Sequence, residues 1–240
     1  MGAVWTPRLV KYFNFDSSRY DQFIYMKNGG SRMPLILLIR HGENEYVSKG
    51  RLAGRLPAVH LNDKGRAQAD ALAEALKPTP IKAVYSSPLE RTMETAAPLA
   101  AAHKLEVVPR EGLIEVDFGK WQDKTLKQLA RQKLWKVVQS QPSQACFPEG
   151  ETFAQAQLRV VEELTDLCSR HKPKEIIACV GHSDMIKLAV AYFLGLPLDL
   201  FQRLHVQPAS VSTLMFHPGG AVRLINLNHI PYRLPQEEKP

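Results

Sequence analysis

Apolar residues fall into two recurrent spacings along this chain. Leu35 to Ile39 is an unbroken apolar run, the form taken by a strand buried on both faces. Ala69, Leu72, Ala73 and Leu76 then repeat at helical intervals behind Asn62, which predicts a capped helix reaching about Lys77. Ile81 to Tyr85 reads as a second strand. Pro88 stands where a first helical turn tolerates proline and opens a helix to about Ala102. Leu105 to Val108 is the third strand.

The same alternation continues. One helix is predicted from Thr125 to about Val138. A second begins at the capping box formed by Thr152 and Gln155, and its apolar face is Val160, Val161, Leu164, Leu167 and Cys168. Ile176 to Val180 is a strand, and Asp184 to Leu194 a helix stopped by Gly195 and Pro197. Val211–Phe216 and Val222–Leu227, separated by Pro218-Gly219-Gly220, form a closing hairpin. Strands alternating with helices of this length predict a three-layer α/β sandwich around a mostly parallel sheet.

Composition narrows the class. The chain has 240 residues, 45% hydrophobic and 23% charged, which excludes a largely disordered protein. The apolar runs are too short to span a bilayer, and Pro7, Arg8, Lys11 and Asn14 interrupt what would be the core of a secretory signal. Cys146, Cys168 and Cys179 are too few and scattered for a disulfide framework or a zinc site. Cys168 and Cys179 read as core residues, and a cytoplasmic location is expected. The net charge of +7 suits an anionic partner without naming it.

Residues 1–33 stand apart as an N-terminal extension, ahead of a domain over 34–232 and a polar tail over 233–240. The extension carries seven of the nineteen aromatics and +3 of the net charge. Two readings are open: a segment whose aromatics pack on the body, or a reading frame extended upstream of a start at Met33.

In open α/β sheets, ligands bind beyond the carboxyl ends of the strands. Arg40-His41-Gly42-Glu43 follows the first strand, Ser86-Ser87-Pro88-Leu89-Glu90-Arg91 the second, and Gly181-His182-Ser183 the fourth. Two histidines and two arginines thus converge on one rim, where helix N-termini also favour an anion. A phosphate-type ligand fits this set.

Leu38-Ile39-Arg40-His41-Gly42-Glu43 resembles the opening motif of the histidine phosphatase superfamily, which includes the cofactor-dependent phosphoglycerate mutases. The segments Tyr85–Ala96, Leu113–Trp121, Phe147–Phe153 and Val180–His182 are similar to its later blocks, in family order. The resemblance implies a phosphoglycerate mutase-like fold and a phosphomonoester substrate. It assigns His41 as nucleophile, Arg40, Arg91 and His182 to the phosphoryl group, and Glu115 as general acid and base. Asp117 is a lesser rival for that last role. Asn44 and Ser183 are further candidate substrate contacts. No metal and no cofactor are implied, since arginines and histidines carry the charge. A homodimer is compatible with the family.

Some positions depart from the family pattern. Asn44 stands where threonine is frequent, Ala53 where glutamine is, and Trp121-Gln122-Asp123 replaces Trp-Glu-Gly. Arg51 and Arg55 are equally readable as compensating for Ala53 or as surface residues. Mutases of the family carry an insertion with a paired-arginine lid. Here 121–143 is short, and Lys124, Lys127, Arg131, Lys133 and Lys136 include no adjacent arginines. A phosphatase is therefore expected, with a phosphomutase or a non-catalytic phosphate binder as alternatives. A small phosphorylated substrate is the expected partner; nucleic acid and membrane are not.

Overall fold

The structure, a computed structural model, describes residues 34–217 and 220–234. The expectations for the N-terminal extension and for most of the C-terminal tail lie outside the described residues. Six strands form one sheet in the order β3-β2-β4-β1-β5-β6. They are β1 (Leu35–Arg40), β2 (Ile81–Ser86), β3 (Val107–Pro109), β4 (Ile176–Gly181), β5 (Val211–Phe216) and β6 (Val222–His229). Strands β1 to β4 run parallel, and the β5–β6 pair lies antiparallel beside β1.

Successive side chains of a strand face opposite ways, so the central strands divide their residues between two cores. Leu35, Leu37 and Ile39 of β1 join Ala178 and Val180 of β4 on one face. That face is covered by α2 (Asp63–Leu76) and α3 (Glu90–Ala102), through Leu72, Leu76, Ala96 and Leu99. Ile36, Leu38, Ile177 and Cys179 face the other way, onto α6 (Phe153–Ser169) and α7 (Ser183–Phe193). Burial on both faces explains why β1 and β4 contain no alternation. Cys168 and Cys179 are both buried core residues, as expected.

One predicted helix is corrected. The segment 125–138 forms two short helices, α4 (Leu126–Leu129) and α5 (Lys133–Ser140), with α1 (Glu45–Ser48) the remaining short one. Thr125 and Gln128 make a capping box for α4, and Gln132 is extended at φ −85°, ψ 146° before α5. The cause lies in the apolar spacing. Leu129 and Val138 are both buried, yet nine residues of continuous helix would set them on opposite faces. The chain must turn between them. Helix α3 likewise begins at Glu90, with Pro88 just ahead of its Leu89 cap.

The turn after β1 is held against α2 by two glycines. A Cβ on Gly65 would lie 2.0 Å from the Glu43 carbonyl oxygen, and one on Gly42 would lie 2.6 Å from the Gly65 oxygen. Backbone packed this closely fixes where His41 stands. The substitution Gly65→Ala is expected to destabilise the fold by about 1–3 kcal/mol through overpacking. Urea denaturation with an unchanged m-value would measure it.

Candidate active site

The parallel strands end at one rim, and backbone hydrogen bonds tie the turns there together. The His41 N–H donates to the Gly181 carbonyl at 3.0 Å, and the Ser87 N–H to Val180 at 2.9 Å. Gly42 N–H donates to Thr95 Oγ1 at 3.0 Å, and Glu43 N–H to Gln68 Oε1 at 2.8 Å. His41, His182, Arg40 and Arg91 are thereby assembled from β1, β4 and the start of α3.

His41 is 4% exposed, with Nδ1 2.7 Å from the Gly42 carbonyl oxygen. A carbonyl only accepts, so Nδ1 carries the proton and Nε2 keeps its lone pair. Burial, then the charges of Arg91 and Arg40, hold the imidazole well below its usual range. It is a neutral imidazole with a free Nε2.

His182 is fully buried, and its ring meets that of His41 edge-on at 5.4 Å. Arg91 Nη2 lies 3.3 Å from His182 Nδ1, and an arginine can only donate. Nδ1 is therefore the acceptor, and Nε2–H donates to Ser87 Oγ at 2.9 Å. Burial and the neighbouring Arg91 and His41 push this imidazole well below its usual range too. A protonated His182 thus requires an anion to arrive with the proton.

Among the described residues neither arginine has a carboxylate partner of its own; Arg91 is buried and Arg40 half-buried. Arg91, 1% exposed, donates from Nη2 to the Gly54 carbonyl at 2.7 Å, leaving buried Nε and Nη1 without an acceptor. Arg40 donates from Nη1 to Val206 at 2.7 Å and leaves Nε unpaired. Asn44 caps α1 through Oδ1, which accepts from the Val47 N–H at 2.9 Å, while its Nδ2 is buried and free. Buried donors are seldom left unsatisfied, and these three residues line one cavity of about 340 Å³ with His41, Glu115 and Ser183. A multi-oxygen anion satisfies all of them together.

Glu115 sits on the loop between β3 and α4, its side chain 12% exposed. Oε1 accepts from the Val116 N–H at 3.0 Å, and Oε2 is 3.8 Å from His182 Nδ1. Burial, helped by the negative charge of Asp184, pushes its pKa up to about 7 against the pull of Arg91 and Arg40. Asp117 points elsewhere: Oδ1 accepts from the Gly119 N–H, Oδ2 is 3.8 Å from Arg55, and the residue does not line the cavity.

Three residues without an assignment from sequence hold the Glu115 loop. Arg159 donates from Nη1 to the Ile114 carbonyl at 2.7 Å, and Arg55 from Nε to the Glu115 carbonyl at 2.8 Å. Glu151 joins them, accepting from Arg55, from Arg159 and from the Asp117 N–H within 2.8 Å. Arg55 is thus a buttress of this loop. Arg51 instead lines the cavity and is paired with Asp123. Asp123 has φ +65°, the left-handed region that a glycine enters freely, which accounts for the interchange with glycine noted above. The apolar spacing of α6 carries no signal for the role of Arg159.

A sequence model of the histidine phosphatase superfamily (branch 1) matches residues 36–228. The chain belongs to this superfamily. It is 30% identical over 184 residues to phosphoserine phosphatase 1 of Hydrogenobacter thermophilus, covering 76% of this chain and 86% of that protein. It is 31% identical over 192 residues to a 2,3-bisphosphoglycerate-dependent phosphoglycerate mutase of Thermoplasma acidophilum, covering 80% and 92%. The crystal structure of an Entamoeba histolytica phosphoserine phosphatase with 3-phosphoglyceric acid superposes with a TM-score of 0.74 at 28% identity, covering 82% of this chain and 97% of that one. No helix among the described residues of this histidine phosphatase superfamily member is long and apolar enough to cross a membrane.

The buried carboxyl has a measurable cost. Its folded-state pKa of about 7 lies above the ordinary 4.5, so the stability linked to its proton is present below pH 4.5 and is lost as pH rises through about 7. Glu115→Gln is therefore expected to gain about 2–3 kcal/mol relative to the parent between pH 4.5 and pH 8. Chemical denaturation of both proteins across that range tests this.

Proposed function

We propose that this protein is a metal-independent phosphatase that hydrolyses a small phosphomonoester through a phosphohistidine on His41. The observation that carries this reading is the neutral His41, its Nδ1 proton fixed on Gly42, beside the unpaired donors of Arg40, Arg91 and Asn44. The phosphoryl dianion occupies those donors, with His182 and Ser183 completing its surroundings, and His182 takes up a proton as the anion arrives.

His41 Nε2 attacks phosphorus in line, the bond from phosphorus to the ester oxygen breaks, and the leaving oxygen takes the Glu115 proton. In the second half, the Glu115 carboxylate accepts a proton from water. The resulting hydroxide forms the new phosphorus–oxygen bond, and the phosphorus–nitrogen bond to His41 breaks. Glu115 ends protonated, ready for another turnover. A pKa near 7 suits a group that must give and regain one proton.

Hydrolysis is favoured over phosphoryl shuttling by what lines the cavity. From 121–143 come Trp121, Leu126, Trp135, Val138 and Gln139, and none of the five basic residues of that segment. A mutase must retain a bisphosphorylated intermediate, and this wall offers its second phosphate no cation.

His41→Ala is expected to lower kcat on a simple alkyl phosphate by at least about 10³-fold. Arg91→Ala should lower it by about 10²–10³-fold. Acid-labile, base-stable phosphoprotein should be trapped from the parent and not from the His41 variant. Glu115→Gln should cost about 10²–10⁴-fold in kcat/KM with an alkyl phosphate and far less in kcat/KM with a nitrophenyl ester, whose leaving group needs no proton, while kcat falls for both because hydrolysis of the phosphohistidine still needs the base. The parent kcat/KM on alkyl phosphates should fall above about pH 7. EDTA should leave activity unchanged; its abolition by EDTA would sink the mechanism.

A further inference from the structure

The cavity extends well beyond the phosphoryl end, and its charges can be balanced one by one. Among the described residues, the cationic side chains lining it are Arg40, Arg51 and Arg91, and the anionic ones Glu115 and Asp184. Arg51 is taken by Asp123: Nη2 donates to its carboxylate at 2.5 Å and to its backbone carbonyl at 2.8 Å, and the guanidinium lies 5.4 Å from the Tyr46 ring. Asp184 is paired with Lys187, Nζ to Oδ1 at 2.7 Å. That lysine is itself buried, donating also to Gln202 Oε1 at 2.8 Å and lying 5.2 Å from the Phe201 ring. Arg40 and Arg91 remain. Two positive charges match one phosphoryl dianion and leave none for a second anionic group.

Much of the remaining wall is apolar, with Tyr46, Gln139 and Gln202 as uncharged polar members. Leu52, Phe118, Trp121, Leu126, Trp135 and Val138 face the space where the ester's alcohol must lie. A carboxylate placed there would meet no unpaired counter-ion beyond the two arginines that hold the phosphoryl group. An aromatic or aliphatic body would gain from the same surroundings.

We propose that the substrates of this protein are phosphomonoesters of uncharged, apolar-bodied alcohols, and that carboxylate-bearing phosphomonoesters are rejected by the aromatic wall and by the pairing of Arg51 and Lys187, which leaves no described cation for a second anionic group. This rests on the phosphatase reading above and specifies its leaving group. Trp135, half-buried on α5 and stacked on Trp121 at 6.1 Å, is the wall residue whose removal opens the most apolar surface.

The test measures kcat/KM for ethyl phosphate, 2-phenylethyl phosphate, 2-phosphoglycolate and 3-phosphoglycerate, all alkyl esters, so that leaving-group chemistry is nearly matched. In the parent, 2-phenylethyl phosphate should exceed ethyl phosphate at least tenfold, and both carboxylates should fall at least tenfold below it. Trp135→Ala should lower the phenylethyl-to-ethyl ratio about tenfold, mainly through KM. Asp184→Asn should raise phosphoglycolate relative to ethyl phosphate about fivefold; the ratio removes any common effect on Glu115. Either carboxylate turned over as fast as 2-phenylethyl phosphate by the parent overturns the proposal, whatever the variants do. Absence of His41-dependent phosphate release from all four esters overturns instead the phosphatase reading beneath it.

Discussion

Two guanidinium groups at the carboxyl end of the sheet, neither with a carboxylate of its own among the described residues, are the constraint on which this site depends. A buried charge with unfilled donors is costly, and the fold sustains Arg40 and Arg91 through the carbonyls of Val206 and Gly54. Their field has three consequences within a few ångströms. Added to burial, which is the larger cause, it keeps both histidines unprotonated, and it opposes the rise in the Glu115 pKa that burial alone would cause. It also makes a dianion the natural occupant of the space between them. On the proposed reading, nucleophile, acid and binding pocket are three responses to one arrangement of charge.

That arrangement requires rigid surroundings, and the chain supplies them by different means on the two sides. Around His41, rigidity comes from backbone: the buried β1 strand, the bond to Gly181, and the contact of Gly42 with Gly65 that excludes any side chain. Around Glu115 there is no regular element to do this, since the residue lies on a loop. There, charged side chains take over, with Glu151 joining Arg55 and Arg159 as they hold successive loop carbonyls. Pairs this far from bulk water keep more of their strength than surface ion pairs do.

What could be read from the sequence follows this division. Elements whose residues are buried by the sheet announce themselves: the run Leu35–Ile39, the helical spacing of Ala69 to Leu76, and the capping box at Thr152 all appear where periodicity put them. The rim residues were legible because strand ends have a known place in such sheets. The failure at 125–138 came where two short helices each bury one or two residues, too few for a period to show the break at Gln132. Arg55, Glu151 and Arg159 were opaque for another reason. Their partners are backbone carbonyls and each other, brought from three distant segments, and nothing in residue type or local spacing records such a meeting. The proton positions on His41 and His182 were likewise a matter of three-dimensional partners.

The cavity therefore has two ends with different origins. The phosphoryl end is made of residues at the termini of buried strands and the first turn of α3, where any shift of backbone is resisted by two packed cores. The far wall comes mostly from residues 118–147, short helices and turns that no strand constrains. Substitution in that wall alters which alcohol is accommodated while the distances among His41, Arg40, Arg91 and His182 stay set by the sheet. This separation gives a physical reason why proteins of one superfamily, alike in fold and similar in sequence to this chain, carry names as different as phosphatase and mutase. On the proposed reading, the strand ends govern the rate of phosphoryl transfer, and the wall governs which alcohol leaves or which acceptor takes the phosphoryl group.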